Sequence, residues 1–210
     1  MALDRVTSFI EGEEGKMLYQ KIACKMAEYL EKEAVIEKAQ KEECAYGLEM
    51  LISSICLAGM LLGVAYFLKA IDKAVLYYIL FAWIRKYAGG YHAKTYVGCT
   101  SLYLLTFCFS VFMERNLLYI LNLEQVQSFE IVVMISLMIT VVFFAPIENV
   151  NNPIEKENKE KYYYYALVRT VVVIIINIVC MAKKIEVYHW NSICLFGVLM
   201  YMYIGKWIKR

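Results

Sequence analysis

Six apolar runs dominate this sequence and constrain what it can fold into. They cover residues 46–68, 74–84, 95–113, 129–145, 165–182 and 190–205. Several have the length, about 17–25 residues, at which a helix crosses the hydrocarbon core of a bilayer. The chain is 61% hydrophobic, whereas soluble domains are about 45–50% apolar. We therefore predict an all-α integral membrane protein with about six transmembrane or re-entrant helical segments, and a buried soluble bundle is the less favoured alternative.

Residues 1–45 differ from the rest, and we predict an amphipathic N-terminal helical arm there, followed by a polytopic membrane domain over 46–210. Apolar residues recur at helical spacing from Leu18 to Tyr29, with Lys and Glu on the opposite face. Such a helix lies in the membrane interface or docks on a protein. The arm has seven basic and ten acidic residues, which does not favour anionic lipid, so both alternatives stay open.

The basic residues of the connections are distributed unequally. If the six segments all span, twelve lysines and arginines lie on one side of the membrane and five on the other. The positive-inside rule places the richer side in the cytoplasm. We therefore predict a multi-pass protein of the cytoplasmic membrane with both termini and the 85–94 loop in the cytoplasm. The prediction depends on the short segment 74–84, because a re-entrant segment there would change the alternation.

The charge and cysteine content exclude some classes of function. A net charge of +2 argues against nucleic acid as a partner. The seven cysteines are odd in number and lie mostly in apolar segments, where they behave as small hydrophobic residues rather than as a disulfide framework. Cys24 and Cys44 have no histidine neighbours to complete a zinc site. We predict no metal and no cofactor.

A cationic loop with a double glycine interrupts the apolar runs at residues 85–99, RKYAGGYHAKTYVGC. It contains His92, one of two histidines in the chain, and Cys99. An imidazole can take the proton of a thiol and later return one to a leaving amine, and Arg85 and Lys86 could stabilise the thiolate. His92 and Cys99 are therefore a candidate catalytic pair.

The spacing of His92 and Cys99 requires a turn if the two residues act together. On a continuous helix they would lie about 10 Å apart along the axis, too far for a hydrogen bond. Gly89 and Gly90 supply the freedom for the chain to fold back. The alternative is structural, with His92 an interfacial histidine and Cys99 a small residue that begins a helix. From the residues alone, the two interpretations carry equal weight.

The pattern R-x-x-x-G-G-x-H-A-x-x-x-x-x-C, from Arg85 to Cys99, resembles the signature of the AgrB family of membrane endopeptidases, which process quorum-sensing propeptides. A second block, AP-x-x-N-x-N-x-P over 145–153, is similar to a proline-bounded loop of that family. Size, six apolar segments and an amphipathic arm also match, so the resemblance covers essentially the whole chain. The chain departs from the pattern at Asn152, where many members carry a lysine.

The resemblance implies that the polytopic domain is a cysteine endopeptidase. Cys99 would be its nucleophile and His92 the base, with Arg85, Gly89 and Gly90 supporting the site. The implied substrate is an AgrD-like propeptide, which is cut through a cysteine thioester and closed into a thiolactone or lactone ring. A homodimer in the lipid bilayer is the assembly that packed spans and the resemblance together imply.

The loops assigned to the cytoplasm also carry a candidate binding surface for an acidic propeptide tail, because clustered positive charge steers an anionic segment. We predict that five lysines form this surface: Lys86, Lys94, Lys156, Lys159 and Lys161.

A competing hypothesis is a non-enzymatic membrane carrier or scaffold for peptide export. It is favoured by polar groups within the spans and by the lack of an assignable third catalytic residue or oxyanion donor. Glu49, Glu148 and the amides of Gly89 and Gly90 are the open choices. For His189, beside Trp190, we expect an anchoring role at the membrane surface.

Overall fold

The structure is a computed structural model, and it describes residues 18–93, 95–148, 154, 156–185 and 187–208. All six apolar runs are helical, as predicted. Short 3-10 turns at Lys38–Gln40 and Lys156–Asn158 precede two of the helices. The helices are α1 (Leu18–Lys32), α2 (Lys41–Phe67), α3 (Ile71–Ala88), α4 (Tyr96–Ile120), α5 (Leu123–Phe144), α6 (Lys159–Ala182) and α7 (Val187–Ile208).

Five helices of the described chain are long and apolar enough to cross a membrane, namely α2, α4, α5, α6 and α7. Helix α3 is not among them. Its 18 residues are about 27 Å long, slightly short of a hydrocarbon core of about 30 Å, and its last turn carries Arg85 and Lys86. The predicted class, an all-α membrane protein, is confirmed.

The chain divides into two compact units, Met1–Met60 and Leu61–Arg210. In the first unit, two polar contacts join α1 to α2. Gln20 Nε2 donates to Glu49 Oε1 at 2.8 Å, and Lys41 Nζ lies 3.0 Å from Glu31 Oε2. The apolar stripe of α1 remains exposed, from Leu18 to Tyr29. An apolar surface of this arm is therefore open to lipid or to a partner.

Helix α7 is the central helix of the second unit. Of its most apolar 18-residue stretch, 61% is buried, against 17–39% of the corresponding stretch in the other four candidate spans. Its side chains meet all four neighbouring helices. The contacts are Tyr201 with Phe81 of α3, Trp190 with Phe107 of α4, Phe196 with Phe129 of α5, and Ser192 with Asn177 of α6. Residues of α7 are thus positioned from every side.

The connections of this unit alternate between two ends. At one end, Arg115 of α4 donates a hydrogen bond to the carbonyl of Leu68. At the other end, Gly89 pairs with Ile147 in an isolated parallel bridge. Helix α3 runs from the first end to the second. The orientation in the membrane stays a prediction.

A buried pair of ionisable side chains joins α5 to α7. His189 Nδ1 lies 2.6 Å from Glu130 Oε1, and the two residues are 8% and 1% exposed. Our expectation that His189 anchors at the membrane surface is therefore wrong. Its sequence neighbours gave no sign of this, because the carboxylate that it meets is 59 residues away on another helix.

Candidate active site

The candidate site is built around the segment that joins α3 to α4. Helix α3 ends at Ala88, and the amide of Gly89 still donates to the carbonyl of Arg85 at 3.0 Å. Gly89 then has a φ of +76°, a backbone conformation that residues other than glycine rarely adopt. A Cβ at this position would lie 2.2 Å from the carbonyl oxygen of Ile147. Both the backbone conformation and the lack of space therefore require glycine.

The segment after α5 holds the double glycine from one side. The amide of Ile147 donates to the carbonyl of Ala88 at 2.9 Å, and the amide of Gly90 donates to the carbonyl of Ile147 at 3.1 Å. Ile147 belongs to the AP-x-x-N block. The two blocks that carried the family resemblance are thus hydrogen-bonded to each other.

Helix α7 holds the loop from the other side. The amide of Tyr91 donates to the carbonyl of Tyr201 at 2.9 Å. One turn later, a Cβ at Gly205 would lie 2.6 Å from the nitrogen of Tyr91, and a Cβ at Gly90 would lie 3.0 Å from the carbonyl oxygen of Tyr201. The backbone of the loop is therefore in direct contact with the backbone of α7 where the two cross. Sequence reasoning missed both Gly205 and Tyr201. An isolated glycine late in an apolar helix is a signal of close backbone approach, and it could have pointed to this crossing.

The backbone amides of this loop are committed to structure. Those of Gly89, Gly90 and Tyr91 each donate to a backbone carbonyl, so none is available to an oxyanion. Of the acidic candidates, Glu148 forms an ion pair with Lys159, Nζ to Oε1 at 2.6 Å. The contact described for Glu49 is with Gln20 in the first unit.

Arg85 clamps the loop from α3. Its guanidinium donates to the carbonyl of Tyr91, the residue before His92. The same group lies 5.3 Å from the ring centroid of Phe81 and 4.5 Å from that of Tyr201, within the range of cation–π attraction. The sequence-predicted supporting role of Arg85 thus corresponds to a contact that fixes the backbone next to His92.

His92 is half-buried in this loop. Burial, and to a smaller extent the positive charge of Arg85, lowers its pKa to about 4, because both disfavour the protonated ring. The imidazole is therefore neutral at pH 7, and a neutral imidazole can accept a proton.

Cys99 lies in the first turn of α4 and is half-buried. Thr95 caps this helix, since its hydroxyl accepts from the amide of Gly98 at 3.1 Å and its carbonyl accepts from the amide of Cys99 at 3.0 Å. The first turn of a helix is a place where negative charge is stabilised. All seven cysteines are free thiols in this structure.

Tyr201 joins the double-glycine loop to α4. Its carbonyl accepts from the amide of Tyr91, next to His92, and its hydroxyl contacts the helix whose first turn bears Cys99. That hydroxyl forms a hydrogen bond with Thr106 Oγ1 at 3.1 Å. The structure thus places both residues around the same end of α7, while direct contact between imidazole and thiol stays a prediction.

The described members of the predicted lysine surface lie at the same end as the loop. Tyr87 of α3 packs on Tyr162 of α6 with ring centroids 5.2 Å apart, which brings the end of one helix to the start of the other. The lysines differ in their surroundings. Lys86, Lys156 and Lys161 are exposed, Lys159 is half-buried against Glu148, and Lys94 lies outside the described residues. Among the described residues, no cluster of His, Cys, Asp and Glu could hold a metal ion.

Comparison with known proteins matches most of the chain to one family. The sequence pattern of the family described as accessory gene regulator B, AgrB, matches residues 23–204. The AgrB-like protein 2 of Clostridium perfringens (strain 13 / Type A) is 26% identical over 69% of this chain and 68% of its own length. An AgrB-like protein of C. perfringens (strain SM101 / Type A) is 27% identical over 65% of this chain and 64% of its own length. No solved structure matches the chain.

Proposed function

Because the chain belongs to the accessory gene regulator B family, we propose that it is a membrane cysteine endopeptidase which processes an AgrD-like quorum-sensing propeptide. It acts at the cytoplasmic face of the cell membrane. One observation supports the proposal: at one end of α7, Tyr201 is hydrogen-bonded both to the double-glycine loop, next to His92, and to Thr106 on the helix whose capped first turn bears Cys99.

The first chemical step is acyl transfer to Cys99. Neutral His92 takes the thiol proton, and the sulfur attacks the scissile carbonyl carbon. A carbon–sulfur bond forms, the carbon–nitrogen bond breaks, and the proton held by His92 goes to the departing amine. The products are a thioester on Cys99 and a released C-terminal peptide. A neutral base suits this step, because the imidazole must be free to accept the proton at neutral pH.

The second step closes the ring. A thiol within the substrate attacks the thioester carbonyl, gives up its proton through His92, and displaces the sulfur of Cys99, which is protonated again. One thioester replaces another, so the exchange is close to balanced in free energy. A substrate hydroxyl would give a lactone instead. Water is the competing nucleophile, and a half-buried site next to membrane helices disfavours it.

The remaining parts of the site have positioning roles in this proposal. Arg85 holds the carbonyl of Tyr91 and thereby the backbone of His92. The amides of the double-glycine loop, and those of Gly98 and Cys99 in the first turn of α4, all donate within the protein, so none of them is the donor to the oxyanion of the tetrahedral intermediate.

The test is cleavage of a synthetic AgrD-like propeptide, measured with purified protein in proteoliposomes. We expect Cys99→Ala and His92→Ala to abolish cleavage. Cys108→Ala is the matched control, because Cys108 is also half-buried and lies on the same helix, and it should cleave normally. Mass spectrometry should detect an acyl adduct on Cys99 in the wild type.

A carrier would behave differently. It would show no adduct, and Cys99→Ala would move the peptide across the membrane nearly as well as the wild type. Undiminished cleavage by Cys99→Ala would refute the endopeptidase proposal.

A further inference from the structure

A groove of about 500 Å³ runs between α4 and α7. Both helices are long and apolar enough to cross a membrane. Apolar side chains make up most of the lining, which includes Leu102, Leu105, Phe109, Phe196, Met200 and Ile204. We call this surface the α4–α7 groove.

The α4–α7 groove is continuous with the candidate active site. Leu102 and Thr106 of its lining follow Cys99 by three and seven residues, so they lie on the same face of α4 as the thiol. Tyr91, next to His92, and Tyr201 also line it. A peptide attached to Cys99 as a thioester therefore lies at the entrance of this groove.

The groove also contains a polar pair. Thr106 Oγ1 donates to the carbonyl of Leu102 at 2.7 Å, so the hydroxyl of Tyr201, 3.1 Å from Thr106 Oγ1, is the donor in their shared bond. The Tyr201 oxygen keeps lone pairs that can accept a hydrogen bond from a peptide N–H. A lipid chain makes no use of such an acceptor, whereas an extended peptide backbone does.

A second groove of this unit provides an internal comparison. It lies between α5 and α6, has a volume of about 540 Å³, and is lined by isoleucine, valine and methionine side chains such as Ile135 and Ile175. Its lining includes no hydroxyl group and no residue of the double-glycine loop. This second groove has the character of a surface covered by lipid, and the α4–α7 groove differs from it in both respects.

We infer that the α4–α7 groove binds an apolar segment of the peptide substrate on the N-terminal, acyl side of the cut bond. The inference rests on the proposed endopeptidase function and deepens it. Large apolar side chains of that segment fill the space between Leu105 and Met200, and the Tyr201 oxygen accepts a hydrogen bond from its backbone.

We assign the groove to the acyl side of the cut bond for two reasons, the charge around the site and the order of the two chemical steps. The lysines Lys86, Lys156 and Lys161 are exposed, and their positive charge suits a polar or acidic leaving segment. The acyl segment stays bonded to Cys99 until the ring closes. An apolar groove that retains this segment keeps it in place and excludes water during that interval.

The first test compares a groove-filling variant with a matched variant of the other groove. Leu105→Trp adds bulk to the α4–α7 groove, and Ile175→Trp adds it to the α5–α6 groove; the two residues are 64% and 55% exposed. The substrates are synthetic propeptides with Leu or with Ala at the two positions before the cut. We expect Leu105→Trp to lower kcat/KM for the Leu peptide by about tenfold or more and for the Ala peptide much less, whereas Ile175→Trp changes neither.

Labelling of Cys99 by iodoacetamide shows whether the site of Leu105→Trp is intact, and equal labelling is expected. Equal loss on both peptides, or no loss, would overturn the inference while leaving the endopeptidase function standing.

A second measurement does not require turnover. A propeptide with a benzophenone side chain two residues before the cut is photo-crosslinked to the Cys99→Ala protein in proteoliposomes. Crosslinks to α4 or α7 support the inference, and crosslinks confined to α5, α6 or lipid overturn it. If crosslinks fall in the α4–α7 groove but the wild type shows no cleavage, the groove assignment holds and the proposed function fails.

Discussion

The amide of Gly90 donates to the carbonyl of Ile147 at 3.1 Å, and this bond joins the double-glycine loop to the segment that follows α5. Together with the bond from Tyr91 to Tyr201, it fixes the loop between two backbones. The position of His92 therefore depends on segments that are far apart in the sequence. Substitutions at these contacts should act on the candidate site without touching a catalytic group.

Gly89→Ala should abolish cleavage or lower it by at least about 100-fold, the cost of misplacing a reacting group by about 1 Å. The new Cβ would lie 2.2 Å from the carbonyl oxygen of Ile147, at a φ of +76°. The loop would have to leave Ile147 and carry His92 with it. Cleavage in proteoliposomes measures the effect, and a thermal melt in detergent shows whether the helices remain folded.

The matched control for this glycine is Gly63→Ala, in α2, where no atom lies within 4 Å of the new Cβ. Alanine in a helix is about 1 kcal/mol more favourable than glycine, so activity should be kept and the melting temperature kept or raised. Gly205→Ala should resemble Gly89→Ala, because its Cβ would lie 2.6 Å from the nitrogen of Tyr91. Full activity in both variants would disprove the close crossing of loop and helix.

The pH dependence of cleavage should reflect the lowered pKa of His92. Its pKa of about 4 means that the neutral, proton-accepting ring persists as the pH falls and is lost only below about pH 4. The acidic limb of kcat/KM, which reports the free enzyme, should therefore have its midpoint near pH 4 rather than near the usual 6.5. A series of kcat/KM values between pH 3.5 and about 8 measures the midpoint.

Arg85→Gln isolates the electrostatic part of that shift. The substitution removes a positive charge that disfavours protonation of His92, so the midpoint should move upward in the residual activity, while burial keeps it below 6.5. Arg85→Lys retains the charge and should keep the low midpoint, although it loses the planar contacts with the rings of Phe81 and Tyr201. An identical midpoint in all three proteins would contradict an electrostatic role of Arg85.

The helices could be predicted from the sequence because their apolar runs have the length and composition of membrane segments, and all six runs are helical. The bounds shift by several residues, as for 74–84, which lies within the longer helix Ile71–Ala88. That helix carries its charges in its end turns. The hydropathy pattern therefore predicts a segment that is shorter than the helix itself.

The site could be predicted only where its residues are close in sequence. The glycine loop, His92 and Cys99 form one continuous motif. The partners Ile147 and Tyr201 contribute backbone carbonyls, which carry no signature in residue type. The contact between Glu130 and His189 likewise depends on helix packing, which determines which faces of α5 and α7 meet.

Breaking that contact should destabilise the protein. His189→Leu leaves the carboxyl group of Glu130, which is 1% exposed, without its imidazole partner, and such a loss costs about 3–5 kcal/mol. We expect a clearly lower melting temperature in detergent. Cleavage per folded molecule should be nearly unchanged, because this pair joins α5 to the first turn of α7, away from the loop that carries His92.

The double variant Glu130→Leu with His189→Leu tests the cause. Removing both polar groups leaves no buried charge unpaired, so much of the lost stability should return. Glu124→Gln, at an exposed position of the same helix, is the control for the loss of a carboxylate and should melt like the wild type. If the double variant were as unstable as the sum of its single variants, packing rather than the pair would explain the loss.

Charge reversal at the exposed lysines tests how the propeptide is recognised. Lys86→Glu with Lys161→Glu should raise KM several-fold at low salt and leave kcat nearly unchanged, since surface charges steer an acidic segment. The effect should fade as salt rises, because the Debye length falls to about 3 Å at 1 M. Lys159 is left intact because its reversal would also break the contact with Glu148.

Lys183→Glu with Lys184→Glu is the matched control. It changes the net charge equally at exposed positions of the opposite end and should leave KM unaltered. An equal rise of KM in both double variants would show that net charge alone matters and that no binding surface lies beside the loop.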